Sequence, residues 1–231
     1  MLGGSRFSLS FLAFTCAALP TITVHITWLV AASNLTLEWC NPYWSHCHSI
    51  SATGREPPQF FIFKLLMIPS ALLMLIYWVR LSEWLKSETT QKKSATLVRN
   101  LGIAAAISLV IYTSTLGAIG DLYALPRRMG VVGYFALTAF SHLILLHALS
   151  ERVCEQTHLK KPFQWLLSVS MLLLLLGVLS ALLGFVWSEY QNWDNAFEWW
   201  FAILMVSQFV CVGIMHRQHT KQRESQKLTE A

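Results

Sequence analysis

Six long apolar segments, separated by short polar ones, dominate the pattern of hydrophobic and polar positions along the chain. They cover residues 7–33, 60–79, 100–120, 129–150, 163–187 and 199–215. At 1.5 Å per residue, each segment is long enough, with some help from its flanks, to cross a hydrocarbon layer of ~30 Å. Backbone polar groups in lipid must be satisfied within the segment, and no segment shows the alternation of a membrane barrel strand. The pattern therefore predicts an all-α integral membrane protein, a six-transmembrane-helix bundle.

The composition agrees with this fold class. Only 13% of the 231 residues are charged and the mean hydropathy is +0.48, whereas soluble domains carry roughly 25% charged residues. The net charge of +5 does not indicate nucleic acid binding, because the basic residues lie in short loops and form no separate basic domain. The first segment also has features of a cleaved signal peptide. It is longer than a typical signal core of about 7 to 15 residues, so we interpret it as a membrane helix.

The lysines and arginines are distributed unevenly between the two sides of the predicted bundle. Four of the seventeen fall on one side, namely Arg55, Lys64, Arg127 and Arg128. The other thirteen fall on the side that carries both chain termini, namely Arg6, Arg80, Lys86, Lys92, Lys93, Arg99, Arg152, Lys160, Lys161, Arg217, Lys221, Arg223 and Lys227. Because cytoplasmic loops are enriched in these residues, the asymmetry predicts that the N- and C-termini are cytoplasmic. In a bacterium, the host membrane would be the plasma (inner) membrane.

The same pattern predicts a single domain. Residues 1–215 are expected to form one six-helix transmembrane domain, followed by a charged cytoplasmic tail over residues 216–231. The tail has no apolar periodicity, so we expect it to be frayed or disordered.

Small residues recur in two of the predicted helices. They are Gly102, Ala104, Ala105, Ala106, Ser108, Ser114 and Gly117 in the third, and Gly177, Ser180, Ala181 and Gly184 in the fifth. Small residues allow membrane helices to approach closely. The spacing leaves open whether the contacts lie within the bundle, in a homo-oligomer or against a partner membrane protein.

The segment between the first two helices contains several residues capable of chemistry. On the oxidising side of a membrane, Cys40 and Cys47 are candidates for a disulfide bond. The alternative is a metal site formed by Cys40, His46, Cys47 and His48. Since the adjacent Cys47 and His48 lack the ligand separation of a zinc ribbon or finger, no metal and no other cofactor is predicted.

Two acidic residues lie close to the predicted membrane on the side opposite the termini. Asp121 follows the third helix and Glu198 opens the sixth, where its charge suits the helix N-terminus. Ionisable residues near membrane depth are candidates for functional sites. Arg127 and Arg128 are candidate phosphate partners. The simpler interpretation is a structural ion pair between Asp121 and one of these arginines.

Two histidines lie deep in predicted helices and support a different hypothesis. His25 and His142, together with Asp121, would be the catalytic residues of a metal-dependent membrane lipid hydrolase, in which a metal-bound water attacks the substrate. No metal-binding spacing such as HExxH supports this alternative. Lone membrane histidines more commonly hydrogen-bond to a neighbouring helix.

The residues before the second helix resemble a known family. Ser49-Ile-Ser51-Ala-Thr53-Gly54-Arg-Glu-Pro57-Pro58 is similar to the helix entry of the FRAG/DRAM/SFK family, and Asn195-Ala-Phe-Glu198-Trp199 resembles its acidic-aromatic entry to the sixth helix. The family includes damage-regulated autophagy modulators, a post-GPI-attachment protein and the N-terminal domain of a yeast cell-wall protein that remodels GPI lipids. The resemblance implies six helices with cytoplasmic ends and a role connected with lipids. This chain would then be a bacterial member of the family.

The motif also has a direct physical interpretation. Pro57 and Pro58 prevent a continuous helix, Gly54 suits a tight turn, and Ser51 and Thr53 can bond to exposed backbone groups. These properties predict a rigid cap on the outer mouth of the bundle.

The predicted function is a non-enzymatic accessory protein that recognises or helps to remodel membrane lipids at this cap. The candidate residues are Ser49, Ser51, Thr53, Gly54, Asp121, Arg127, Arg128 and Glu198. The alternatives are the hydrolase and a structural assembly partner.

Overall fold

The computed structural model describes residues 8–229, and Phe7 of the predicted first segment and Arg6 before it lie outside this range. The helices are α1 (Leu9–Ser33), α2 (Ile50–Thr53), α3 (Gln59–Glu88), α4 (Lys92–Thr115), α5 (Ala124–Glu155), α6 (Thr157–Val186) and α7 (Asp194–Thr229), with short 3-10 turns at Asp121–Tyr123 and Ser188–Asn192. Six of the described helices are long and apolar enough to cross a membrane. The predicted all-α, multi-pass membrane bundle is confirmed.

The six long helices pack as an up-and-down bundle. We call the end that carries residues 34–58, 116–123 and 187–193 the cap end, and the opposite end the tail end. Neighbouring helices follow the order α1, α3, α4 and α5, and α6 packs on α7, which packs on α1. The contact between α5 and α6 is sparse compared with the others, although these helices follow each other directly in the chain. The bundle is therefore open along one side.

Close packing inside the bundle uses the predicted small residue Gly102 and a second glycine, Gly130, that was not predicted. A Cβ atom added at Gly102 of α4 would lie 2.1 Å from the ring of Trp78, which is fully buried on α3. A Cβ atom added at Gly130 of α5 would lie 2.7 Å from the backbone nitrogen of Tyr112 on α4. α4 therefore approaches α3 and α5 closely within the same chain.

Substitution at Gly102 tests this packing. Gly102→Ala is expected to lower the free energy of unfolding by about 1–3 kcal/mol, because the added methyl group overlaps a buried indole ring. Gly184→Ala is the matched control, since its nearest neighbour would be the Tyr190 ring at 3.7 Å. Unfolding in mixed detergent micelles, followed by tryptophan fluorescence, measures both. Equal stability of the two variants would contradict the close approach of α3 and α4.

The end of α7 differs from the prediction. Residues 216–229 were expected to be frayed or disordered, but they continue α7 without a break. His216, His219 and Arg223 lie three and four positions apart and share one face of this helix. The face is polar, so a search for apolar periodicity could not detect it. The prediction of a disordered tail was wrong because polar contacts order this helix.

A buried carboxylate holds this face of α7 in place. Glu88, at the end of α3, has a side chain that is only 2% exposed. Its oxygens lie 3.1 Å from Nε2 of His219 and 2.8 Å from Nη2 of Arg223. His216 adds a hydrogen bond of 2.9 Å between its Nδ1 and Oγ of Ser10 on α1. We call Glu88, His216, His219 and Arg223 the tail network.

Candidate functional site

The loop between α1 and α2 forms a small covalent ring. The structure joins Cys40 and Cys47 by a disulfide bond, with their Cα atoms 5.5 Å apart. Both thiols are therefore used, and the alternative metal site would lose two of its four ligands. His46 takes a positive φ of 61° within this ring, and its backbone N–H donates to the carbonyl of Asn192 at 2.7 Å.

Two side chains from α7 fasten the same ring to the bundle. Asn195 donates from Nδ2 to the carbonyl of Cys47 at 2.8 Å, and Trp199 donates from Nε1 to the carbonyl of His48 at 2.9 Å. These bonds satisfy backbone carbonyls that would otherwise be left without partners beside the membrane. They also assign a role to the acidic-aromatic segment at the start of α7, which locks the cap onto the helices.

Three of the predicted site residues build the cap itself. Ser49 accepts a hydrogen bond from the backbone N–H of Ala52 at 3.2 Å and so caps the short helix α2. Thr53 is fully buried, and its hydroxyl lies 3.0 Å from that of Thr27 on α1. Gly54 leaves no room for a side chain, because a Cβ atom there would lie 2.6 Å from the ring of Phe63.

The two deep histidines have separate surroundings. Nδ1 of His25 lies 2.7 Å from the carbonyl of Thr21, so it donates there, and its Nε2 accepts from the hydroxyl of Tyr43 at 2.7 Å. Burial raises the pKa of Tyr43, which keeps this phenol in its donating form. His142 is fully buried among other residues, with its Nε2 3.3 Å from the hydroxyl of Tyr77.

Asp121 does not join either histidine. It is exposed in the 3-10 turn before α5, and among residues 8–229 it forms no ion pair with Arg127 or Arg128. The structure therefore brings together neither the proposed hydrolase residues nor the proposed structural pair. No group of three or more metal-ligating side chains occurs in the described part of the chain.

The remaining predicted residues meet at a cavity on the open side of the bundle. This cavity has a volume of about 650 Å³. It lies at the cap end, where α5, the start of α7 and the cap surround it. Its charged and polar lining residues are Ser51, Arg55, Tyr112, Arg127, Arg128, Ser180, Asp194 and Glu198, and three phenylalanines, Phe135, Phe197 and Phe201, also line it. We call it the mouth. Ser51, Arg127, Arg128 and Glu198 were predicted, whereas Arg55 and Asp194 were not selected.

An apolar trench continues from the mouth toward the tail end. It has a volume of about 310 Å³ and runs between α5 and α6 over the surface of α7. Phe135, Ala136 and Phe201 line both cavities, so the trench directly adjoins the mouth. The trench ends near Leu143 and Leu173 and has no charged lining residue in the described part of the chain. We call the mouth and the trench together the lateral groove.

Glu198 lies on the inner wall of the mouth. It also borders a small cavity of about 60 Å³, whose wall includes His25, Tyr43 and Trp199. The Glu198 carboxylate lies near the backbone N–H groups of Ile50 and Ser51. Since these are the first amides of α2, Glu198 connects the start of α7 to the cap.

No protein-family model, no curated protein and no solved structure matches the chain.

Proposed function

We propose that this protein is a non-enzymatic membrane protein that recognises a membrane lipid, or presents one for remodelling, in the lateral groove. The observation that carries the proposal is the combination of a charged mouth with an apolar trench that opens sideways between two membrane helices. A groove open to the side receives its ligand from the bilayer. The ligand it suits is therefore an amphiphile with a polar head and an apolar chain.

The length of the trench supports a lipid chain as the occupant. From Phe135 to Leu143, α5 advances by ~12 Å at 1.5 Å per residue. Half of a hydrocarbon layer of ~30 Å is ~15 Å, so the trench covers most of the depth of one lipid chain. The apolar lining residues replace contacts that such a chain makes with neighbouring lipids, and the narrow groove adds dispersion contacts.

The charge of the mouth supports a phosphate-bearing head. Arg55, Arg127 and Arg128 contribute three guanidinium groups, against the two carboxylates of Asp194 and Glu198. Guanidinium groups bind phosphate oxygens with two parallel hydrogen bonds, in a geometry that lysine cannot reproduce. Within residues 8–229, Arg127 and Arg128 form no ion pair at or below 4 Å, which leaves their donors available.

The resemblance of residues 49–58 to the FRAG/DRAM/SFK entry motif is compatible with this proposal. In our proposal, the motif builds the wall of the mouth, with Ser51 and Arg55 facing the ligand. Ser49, Thr53 and Gly54 then serve to hold that wall in place.

Neutralising the arginine pair tests the proposal. We expect the double variant Arg127→Gln, Arg128→Gln to lose at least tenfold in bound phospholipid, equivalent to ~1.4 kcal/mol, because the phosphate loses its main donors. Native mass spectrometry of protein purified in mild detergent counts the bound lipids. Lys92→Gln, Lys93→Gln is the matched control, with the same charge change on exposed residues at the tail end. Wild-type protein without bound lipid, or equal losses in both variants, would refute the proposal.

We also propose that both termini are cytoplasmic, so that the mouth lies at the opposite face of the membrane. The distribution of lysine and arginine supports this orientation. A C-terminal fusion to green fluorescent protein is then expected to fluoresce, and a fusion to alkaline phosphatase is expected to be inactive. The reverse pair of results would invert the orientation and place the disulfide ring on the reducing side.

A further inference from the structure

The charged residues of the mouth carry both signs, and the two signs are kept apart. Arg55, Arg127 and Arg128 face the same cavity as Asp194 and Glu198. Within residues 8–229, no ion pair at or below 4 Å joins any of these acids to any of these arginines. Opposite charges in one cavity would ordinarily gain by pairing directly, unless the cavity is shaped to hold something between them.

From this arrangement we infer that the ligand head is a phosphate ester with a primary amine, the class to which phosphoethanolamine belongs. The inference rests on the proposed function and specifies the ligand of the same groove. In this assignment, the phosphate binds between the guanidinium groups of Arg127 and Arg128. The ammonium group binds the carboxylates of Asp194 and Glu198 across the mouth.

The two carboxylates are the evidence against a purely anionic head. A glycerol-phosphate head would bring its negative charge toward Asp194 and Glu198 and would offer them no positive charge in return. An ammonium group satisfies both carboxylates, while its phosphate still satisfies the arginines. A zwitterionic head therefore gives every charged group in the mouth a partner of opposite charge, whereas an anionic head gives such a partner only to the arginines.

The type of amine follows from the acceptors available. A primary ammonium has three N–H donors, which match carboxylate oxygens. A quaternary ammonium has no N–H donor, and proteins recognise it with a cage of aromatic faces. The acids of the mouth supply oxygen acceptors, since Asp194 is exposed and Glu198 lines the same cavity. The aromatic side chains of Tyr112, Phe135, Phe197 and Phe201 also line the mouth, but only a primary amine gives N–H donors to the two acids. The mouth is thus suited to a primary amine.

The two carboxylates also differ in their structural role, which allows a clean test. Glu198 faces the backbone N–H groups of α2, so Glu198→Gln perturbs the cap as well as the mouth. Asp194 is exposed at the start of α7, and its oxygen accepts only the neighbouring N–H of Asn195 at 2.6 Å among the hydrogen bonds of the described residues. Asp194→Asn keeps the size and an acceptor oxygen while it removes the charge.

The experiment uses full-length protein in nanodiscs that contain equal amounts of phosphatidylethanolamine, phosphatidylcholine and phosphatidylglycerol with identical acyl chains. Native mass spectrometry after release into detergent identifies the retained lipid. We expect wild-type protein to enrich phosphatidylethanolamine at least fivefold (~1 kcal/mol) over the other two lipids. A second series of nanodiscs replaces phosphatidylethanolamine with its N-methyl and N,N-dimethyl derivatives. The amount of lipid retained by the protein is expected to fall with each N–H donor that the headgroup loses.

The variants separate this inference from the proposed function. Asp194→Asn is expected to retain lipid but to lose the preference for phosphatidylethanolamine. Glu56→Gln, an exposed acid of the cap that does not line the mouth, is expected to keep that preference. Lipid bound without any headgroup preference, or a preference for phosphatidylglycerol, would overturn the inference and leave the proposed function intact. Absence of bound lipid from wild-type protein would overturn both.

Discussion

Replacing Glu88 with alanine is expected to lower the free energy of unfolding by about 1–3 kcal/mol, because it removes the one carboxylate of the tail network. Its side chain is 2% exposed and faces His219 and Arg223, whose side chains are 5% and 56% exposed. Without Glu88, Nε2 of the buried His219 loses its hydrogen-bond partner, whereas the exposed Arg223 can turn to solvent. Reversible unfolding in mixed micelles gives the free energy.

The same helix supplies a matched control. Glu83 forms an ion pair with Arg80 at 3.1 Å, but their side chains are 57% and 39% exposed. Exposed pairs contribute ~0–1 kcal/mol, so Glu83→Ala is expected to have little effect. Hydrogen exchange adds a local measurement, since Glu88→Ala should increase exchange over residues 216–229 and Glu83→Ala should not. Equal stability of the two variants would mean that the tail network does not hold the end of α7.

The variant Ala139→Trp is expected to remove bound lipid from the lateral groove. Ala139 lines the trench, and an indole ring at this position would fill a large part of its volume of about 310 Å³. The ring and the lipid chain then compete for the same space, and because overpacking of this kind costs ~1–3 kcal/mol, we expect about a tenfold loss of bound lipid. Native mass spectrometry of the detergent-purified variant measures the loss.

Leu175→Trp on α6 is the control for this substitution. Leu175 is 63% exposed and lies outside the trench, so its replacement adds the same side chain to a lipid-facing surface. Both variants should keep the circular dichroism spectrum of wild-type protein. Retention of lipid by Ala139→Trp at the level of Leu175→Trp would show that the trench is not where the lipid chain binds.

The long helices were predictable because apolar length is a local property of the chain. The end of α7 was not, since its order depends on Glu88, which lies more than a hundred positions earlier in the sequence. Arg127, Arg128 and Glu198 could be selected because charges beside apolar segments are conspicuous. The trench could not be predicted, because an apolar residue such as Ala139 has the same appearance in sequence whether it faces a groove, the core or lipid.

The cap shows the same division. Its turn and its short helix follow from Ser49, Gly54 and the prolines, which act on their neighbours. Its attachment to α7 through Asn195 and Trp199 joins segments about 150 positions apart. Asp121 shows the converse: its position near the membrane suggested a site, but the turn that contains it leaves the residue exposed and outside the lining of the mouth.

The trench has a closed lower end, and this limits which lipids can reach it. Toward the tail end, the lining of the trench stops at Leu143 and Leu173, and beyond it Leu145 and Leu149 of α5 and Leu166 of α6 are fully buried. A lipid in our proposed groove can exchange only with the monolayer at the cap end. The fraction of protein with a bound lipid would then depend on the lipid composition of that single monolayer. Two membranes with the same total lipid, but with the two monolayers exchanged, would give different fractions of lipid-bound protein.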